Sequence, residues 1–206
     1  MPVPKNFLNA QLEQIFTFFP ISAIKTGMLY SKELIEVLVK FLENKNTGAF
    51  LVIDPVMVAT SGAPLLEKSA QASLIDNLFP LADMITPNLD EAAVFLGHTP
   101  KTLAECIDAA KSLSHNFNTP VLLKGGHLNS NDLTDVLAKP NGAIVEYKTK
   151  RSESVNSHGS GCTLASAITA ELAKAAALED AVRIAHGYLQ TLFKNPVYIK
   201  NKPYIG

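Results

Sequence analysis

The strongest constraint on this chain is an alternation: short apolar runs of strand length recur between segments whose apolar residues repeat at helical spacing. Residues 49–53, Ala-Phe-Leu-Val-Ile, are an unbroken apolar run stopping at Asp54-Pro55, the pattern of a strand covered on both faces. Residues 120–124 read the same way and end at Gly125-Gly126. Shorter extended segments at 22–25 and 83–86 end at Thr26-Gly27 and before Pro87. Helices are predicted over 7–18, 32–45, 67–78, 89–96, 102–115, 161–175 and 178–194. In the second of these, Leu34, Val37, Leu38, Phe41 and Leu42 form one apolar face, Ser31 reads as the N-cap, and Asn46-Thr47-Gly48 ends the helix. Residues 132–138 and 143–148 flank Lys139-Pro140-Asn141-Gly142 as a hairpin. Strands alternating with helices predict an α/β fold: a mostly parallel, doubly wound central sheet with helices on both faces and an antiparallel edge.

At 206 residues, 47% of them hydrophobic, the chain is long enough for one domain with a full core. Its 18 Lys and Arg against 19 Asp and Glu give a formal charge of −1, which offers no electrostatic footprint for nucleic acid or an anionic membrane. Apolar stretches are broken well short of the roughly 20 residues a membrane-spanning helix requires. The first residues lack the basic patch and apolar stretch of a secretory signal. Cys106 and Cys162 match neither a metal spacing nor a disulfide framework, so a reducing cytoplasm is the expected location.

In an open α/β sheet ligands bind beyond the carboxyl ends of the strands. The loops expected there carry Thr26-Gly27-Met28, Asp54-Pro55-Val56-Met57, Thr86-Pro87-Asn88 and Lys124-Gly125-Gly126-His127. Residues 157–168 add Ser-His-Gly-Ser-Gly-Cys-Thr-Leu-Ala-Ser-Ala-Ile, a Gly-x-Gly turn opening a helix. Such a turn aims unpaired backbone N–H groups and the positive end of the helix dipole at one point, which suits an anion. The alternative is a merely tight loop with Cys162 as a small buried hydrophobe. A thiol in the first helical turn is where the dipole lowers its pKa, so Cys162 is a candidate base.

Other signatures are excluded. Residues 62–69, GAPLLEKS, lack the second glycine of a P-loop, and no nucleophile elbow surrounds Ser157 or Ser160. His98, His115, His127, His158 and His186 are scattered without metal-ligand spacing.

The ordered set Lys25-Thr-Gly-Met-Leu29, Asp54-Pro-Val-Met57, Thr86-Pro-Asn-Leu-Asp-Glu91, Lys124-Gly-Gly-His127 and His158-Gly-Ser-Gly-Cys162 closely resembles the hydroxymethylpyrimidine/phosphomethylpyrimidine kinases of thiamine biosynthesis, in the ribokinase superfamily. The likeness runs from about Asn6 to Gln190. It implies a ribokinase-like fold, and ATP- and Mg-dependent phosphorylation of 4-amino-5-hydroxymethyl-2-methylpyrimidine or its monophosphate on the way to thiamine diphosphate. By resemblance, Gly159, Ser160 and Gly161 form the anion hole for the transferring phosphoryl group and Cys162 is the base. Asn88 and Glu91 organise Mg and its waters, Asp54 binds the metal, and Lys124, with Thr86 and Gly125, meets the ATP phosphates. Met28 packs on the pyrimidine ring, with Val56 and Cys162 also on the substrate. The alternative for Glu91 is an ordinary first-turn helix carboxylate, and for Asp54 a turn cap.

The same resemblance implies a first strand and a glycine-rich segment ahead of the stretch where this chain starts, so a single, N-terminally truncated domain over residues 1–206 is expected. Two alternatives follow: a pyridoxal kinase-like enzyme, which shares the nucleotide site, and a catalytically inactive nucleotide-binding remnant. The expected partners are a small pyrimidine and either a second copy of the chain or a complementing N-terminal fragment.

Overall fold

The computed structural model describes residues 2–45, 48–57, 65–125, 132–150 and 155–205. In chain order the elements are α1 (Lys5–Phe18), β1 (Ala23–Thr26), α2 (Lys32–Lys45), β2 (Phe50–Ile53), α3 (Lys68–Ser73), β3 (Met84–Ile85), α4 (Leu89–Leu96), α5 (Leu103–Phe117), β4 (Val121–Leu123), β5 (Asp132–Ala138), β6 (Ile144–Lys150), α6 (Ser160–Ala173) and α7 (Leu178–Lys194). A small hairpin, β7 (Val197–Ile199) and β8 (Lys202–Tyr204), follows.

The main sheet has the order β1-β2-β3-β4-β5-β6. Its first four strands run parallel, and β5 and β6 are antiparallel, as the sequence predicts. Strand alternation splits the core in two. Leu51, Ile53, Ile85, Val121 and Leu123 join α2, α3 and α5 on one face. Val52, Met84, Leu122 and Leu137 join α6 and α7 on the other. Burial on both faces explains why β2 and β4 read as unbroken apolar runs. No helix among the described residues is long and apolar enough to cross a membrane.

One expectation is corrected. The helix predicted over 67–78 is α-helical only through Ser73; a π-helix over Leu74–Leu78 and a 3-10 turn over Phe79–Leu81 follow. The wider turn brings Leu74, Leu78 and Phe79 all to the core. There Phe79 meets the rings of Phe95 and Phe117 edge-on, at 5.6 and 4.9 Å between centroids, and Pro80, with no N–H to donate, ends the helix. After the last predicted helix comes the β7–β8 hairpin, for which the sequence reading gave no element. Its strand residues Val197, Tyr198 and Ile199 are exposed, and its turn places Lys200 and Asn201 at φ 47° and 61° without a glycine to advertise it.

Candidate active site

The carboxyl ends of the parallel strands bring Lys124, Thr86 and Lys25, the first two predicted as site residues, around one buried carboxylate. Asp54 ends β2, is 1% exposed, and its amide extends the parallel ladder by donating to Thr26 O at 3.1 Å. Lys124, just past β4, donates from Nζ to Asp54 Oδ1 at 2.8 Å, and Thr86 donates from Oγ1 to the same oxygen at 3.3 Å. Lys25, from β1, stands 3.7 Å from Asp54 Oδ2.

Beside them the Thr86-Pro-Asn segment turns into α4. Asn88 is its N-cap: its side chain accepts from the Glu91 N–H at 2.8 Å, and Glu91 Oε2 accepts from the Asn88 N–H at 2.8 Å. This reciprocal capping box is the local role weighed for Glu91 in the sequence, now realised. Glu91 is also buried, and desolvation pushes its pKa from the ordinary 4.5 up to about 7 against the opposing charge of Lys124.

The glycine turn begins α6. Gly159 is the N-cap at φ 85°, a left-handed conformation that glycine adopts freely, and no side chain caps the first turn. Lys124 Nζ lies so close that a Cβ on Gly161 would come within 3.2 Å of it. Cys162 follows in the first turn and is exposed. The thiol does not have the depressed pKa that the dipole argument predicts. Packing around the sulfur raises its pKa first, then the negative charge of Asp54, to which the thiol hydrogen-bonds; Lys25 and Lys124 act in the opposite direction. The neutral thiol is therefore the resting form.

Gly125 is needed for close approach. A Cβ there would fall 2.0 Å from Thr134 O, because β5 passes directly against it. Its N–H donates to Asp135 Oδ1 at 2.8 Å, and Asp135 Oδ2 lies 3.3 Å from His186 Nε2 of α7. His186 stacks on Tyr147, with ring centroids 5.4 Å apart and planes at 11°. A cleft of about 350 Å³ opens over this arrangement, lined among others by Asn88, Lys124, Asp135, Gly159, Gly161 and His186.

The structure thus draws together Asp54, Thr86, Lys124 and Cys162, and sets Asn88 and Gly159, Ser160 and Gly161 along one cleft with Lys124. Met28 and Val56 stand after β1 and β2 at the same edge, Met28 exposed and Val56 half-buried, and among the described residues neither lines that cleft. Gly126 and His127 of the Lys124 motif lie outside the described residues. Sequence reasoning gave no role to Lys25, Asp135 or His186. Lys25 stood inside a quoted motif, whereas Asp135 and His186 are 51 positions apart and meet only through β5 and α7.

A parallel sheet with an uncapped glycine turn, a lysine and a buried aspartate at its carboxyl edge defines the class of ribokinase-like phosphotransferases, and solved structures bear the fold out. The ADP complex of Bacillus subtilis pyridoxal kinase superposes with a TM-score of 0.87 at 30% identity, covering 100% of this chain and 77% of the other. The phosphomethylpyrimidine kinase of Clostridium difficile 630 gives 0.78 at 34% identity, over 92% and 76%. The hydroxymethylpyrimidine/phosphomethylpyrimidine kinase of Haemophilus influenzae is 38% identical over 201 residues, 96% of this chain and 74% of that protein. Within that class the chain belongs to the phosphomethylpyrimidine kinase family, whose sequence profile matches residues 1–204.

Proposed function

We propose that this protein is an ATP-dependent kinase acting on hydroxymethylpyrimidine, on its monophosphate, or on both, in thiamine biosynthesis. The observation that carries the reading is the open amino end of α6 facing Lys124 across the cleft, in a chain whose family profile is that of phosphomethylpyrimidine kinases. Phosphoryl transfer requires mainly positioning, charge neutralisation and a group that takes the acceptor's proton. The first-turn amides after Gly159 would hold the transferring group, with Lys124, Thr86 and Gly125 near the nucleotide phosphates. Cys162 would receive the hydroxyl proton as its thiolate, formed once the thiol's own proton has left to Asp54 or water. Met28 and Val56 would cover the pyrimidine.

Oxygen donors are the right chemistry for Mg, and they favour a cation that keeps its waters. Among the described residues no group of three or more His, Cys, Asp and Glu side chains forms a cage. One oxygen each of Asn88 and Glu91 holds the other's amide, and Asp54 faces two lysines. Glu91, buried with its desolvation only partly offset by Lys124, is the carboxylate a hydrated Mg would relieve, with Asn88 and Asp54 beside it. When bound, the metal would neutralise charge between the nucleotide phosphates.

Pyridoxal is the second acceptor to test, because a pyridoxal kinase superposes with the higher TM-score of the two neighbours described. A coupled ATP-consumption assay offers hydroxymethylpyrimidine, its phosphate and pyridoxal separately. Pyrimidine-dependent turnover with Mg supports the reading; pyridoxal turnover alone replaces it, and ATP binding without turnover of any acceptor leaves an inactive nucleotide-binding protein. A second copy of the chain would meet the outer strand β1 of the described sheet; sedimentation at several concentrations tests this. A cytoplasmic location completes the reading.

A further inference from the structure

Two lysines share the Asp54 carboxylate, and they are not equivalent. Lys124 donates to Oδ1 at 2.8 Å, lines the cleft, and its charge also acts on Glu91. Lys25 is 3.7 Å from Oδ2, an ion pair too long for a hydrogen bond, so its three donors remain for water or an anion. It belongs to β1, at the far side of Asp54 from the cleft, and among the described residues it is not part of the cleft lining. Its side chain is only 20% exposed and bends back over Gly27, where a Cβ would come within 2.9 Å of Nζ. Gly27 therefore leaves room for the ammonium group to point toward the strand ends. Helix α6, which carries Cys162 in its first turn, packs on β1, the strand that carries Lys25, so both approach the same end of the site.

We propose that Lys25 receives the phosphate of a monophosphorylated acceptor and thereby sets the preference between a hydroxymethyl substrate and its phosphate. The inference rests on the kinase reading above and deepens it. A neutral hydroxymethyl group does not need a second cation beside Asp54, whereas an acceptor carrying nearly two negative charges would otherwise meet a buried carboxylate of the same sign. In that second transfer a nonbridging oxygen of the acceptor phosphate attacks the γ-phosphorus of ATP. A P–O bond forms, the bond from the γ-phosphorus to the bridging oxygen breaks with its electron pair on that oxygen, and ADP leaves as the anion. Lys25 neutralises the acceptor while Lys124 serves the nucleotide side.

The test compares wild type with Lys25→Met and Lys25→Arg, measuring kcat/KM and calorimetric binding for the alcohol and for its monophosphate. In Lys25→Met the ratio of kcat/KM for the monophosphate over the alcohol falls roughly 10- to 100-fold, mostly through KM, as expected for one charge-assisted contact. Lys25→Arg, which keeps the cation, recovers most of that ratio. An unchanged ratio in Lys25→Met, or an arginine variant no better than methionine with an equal melting temperature, overturns the assignment. If Lys25→Met melts early, Lys25→Gln carries the same comparison. A wild-type chain that neither binds nor phosphorylates either pyrimidine removes the kinase reading and the Lys25 role with it; equal loss of both acceptors in the variant removes only the Lys25 role.

Discussion

Two helices begin at the same edge of the sheet and treat their first turns in opposite ways. At α4, Asn88 and Glu91 satisfy each other's backbone amides, so the helix closes its own end. At α6, Gly159 supplies no side chain and a left-handed backbone, so the end stays open toward Lys124. A closed end is a structural joint, stabilising by about 1 kcal/mol per cap. An open end with a lysine beside it suits an anion. The same local physics, the orphan amides of a first turn, thus distinguishes a residue pair that fixes the strand end from a turn left free for the phosphate that the proposed function assigns to it.

The largest expected effect that would sharpen this contrast is at α6. Cys162→Ala should lower kcat for the hydroxymethyl acceptor by about 10³-fold, while nucleotide binding, which depends on backbone amides, stays near wild type. The monophosphate, whose acceptor oxygen is already ionised, should lose much less; equal turnover of the alcohol by the variant would remove Cys162 from proton transfer. The next effect is at α4 and is one of pH. The Glu91 pKa is raised to about 7 from 4.5, so the folded chain keeps a proton that the unfolded chain has released in that window. Its contribution is fully present below about pH 4.5 and lost as pH rises through 7, roughly 3 kcal/mol in all. Glu91→Gln keeps an oxygen for the Asn88 amide and does not titrate, so its stability relative to wild type should rise between pH 4.5 and 7.5 in urea melts. A flat difference would mean that Glu91 is not desolvated as described. Smaller still is Asn88→Ala, which should destabilise by about 1 kcal/mol and weaken Mg-dependent nucleotide use; unchanged Mg dependence would confine Asn88 to capping. Titration with inorganic phosphate closes the series: amide shifts should concentrate at 159–162 and spare 89–91, and the reverse pattern would break the contrast.

Much of this was legible in the sequence because the physics is local. The apolar run at 49–53 announces a strand covered on both faces, and Gly-x-Gly followed by an Ala-rich stretch announces an open helix end. What stayed hidden depends on burial or on distant partners. The Cys162 thiol lies in a first turn, but its pKa direction is set by packing and by Asp54, which comes from another strand. The Asp135 carboxylate reaches Gly125 because β5 runs antiparallel past it, and no spacing in the chain states that. Lys25 was read as part of a motif, yet its special position exists only relative to Asp54 and Gly27.

The strand order has a consequence for how the protein comes to be. Every neighbour in the main sheet is also a neighbour in sequence, so the sheet can assemble by adding one crossover or hairpin at a time. The exception is α6, which packs on β1 and β2 from more than 100 residues away. We expect the sheet with α2 and α5 to protect its amides first in pulsed hydrogen exchange, and α6 and α7 to follow. Simultaneous protection would contradict that order. On this route the glycine turn before α6 is installed last, and the binding competence proposed for it would become a report of completed folding.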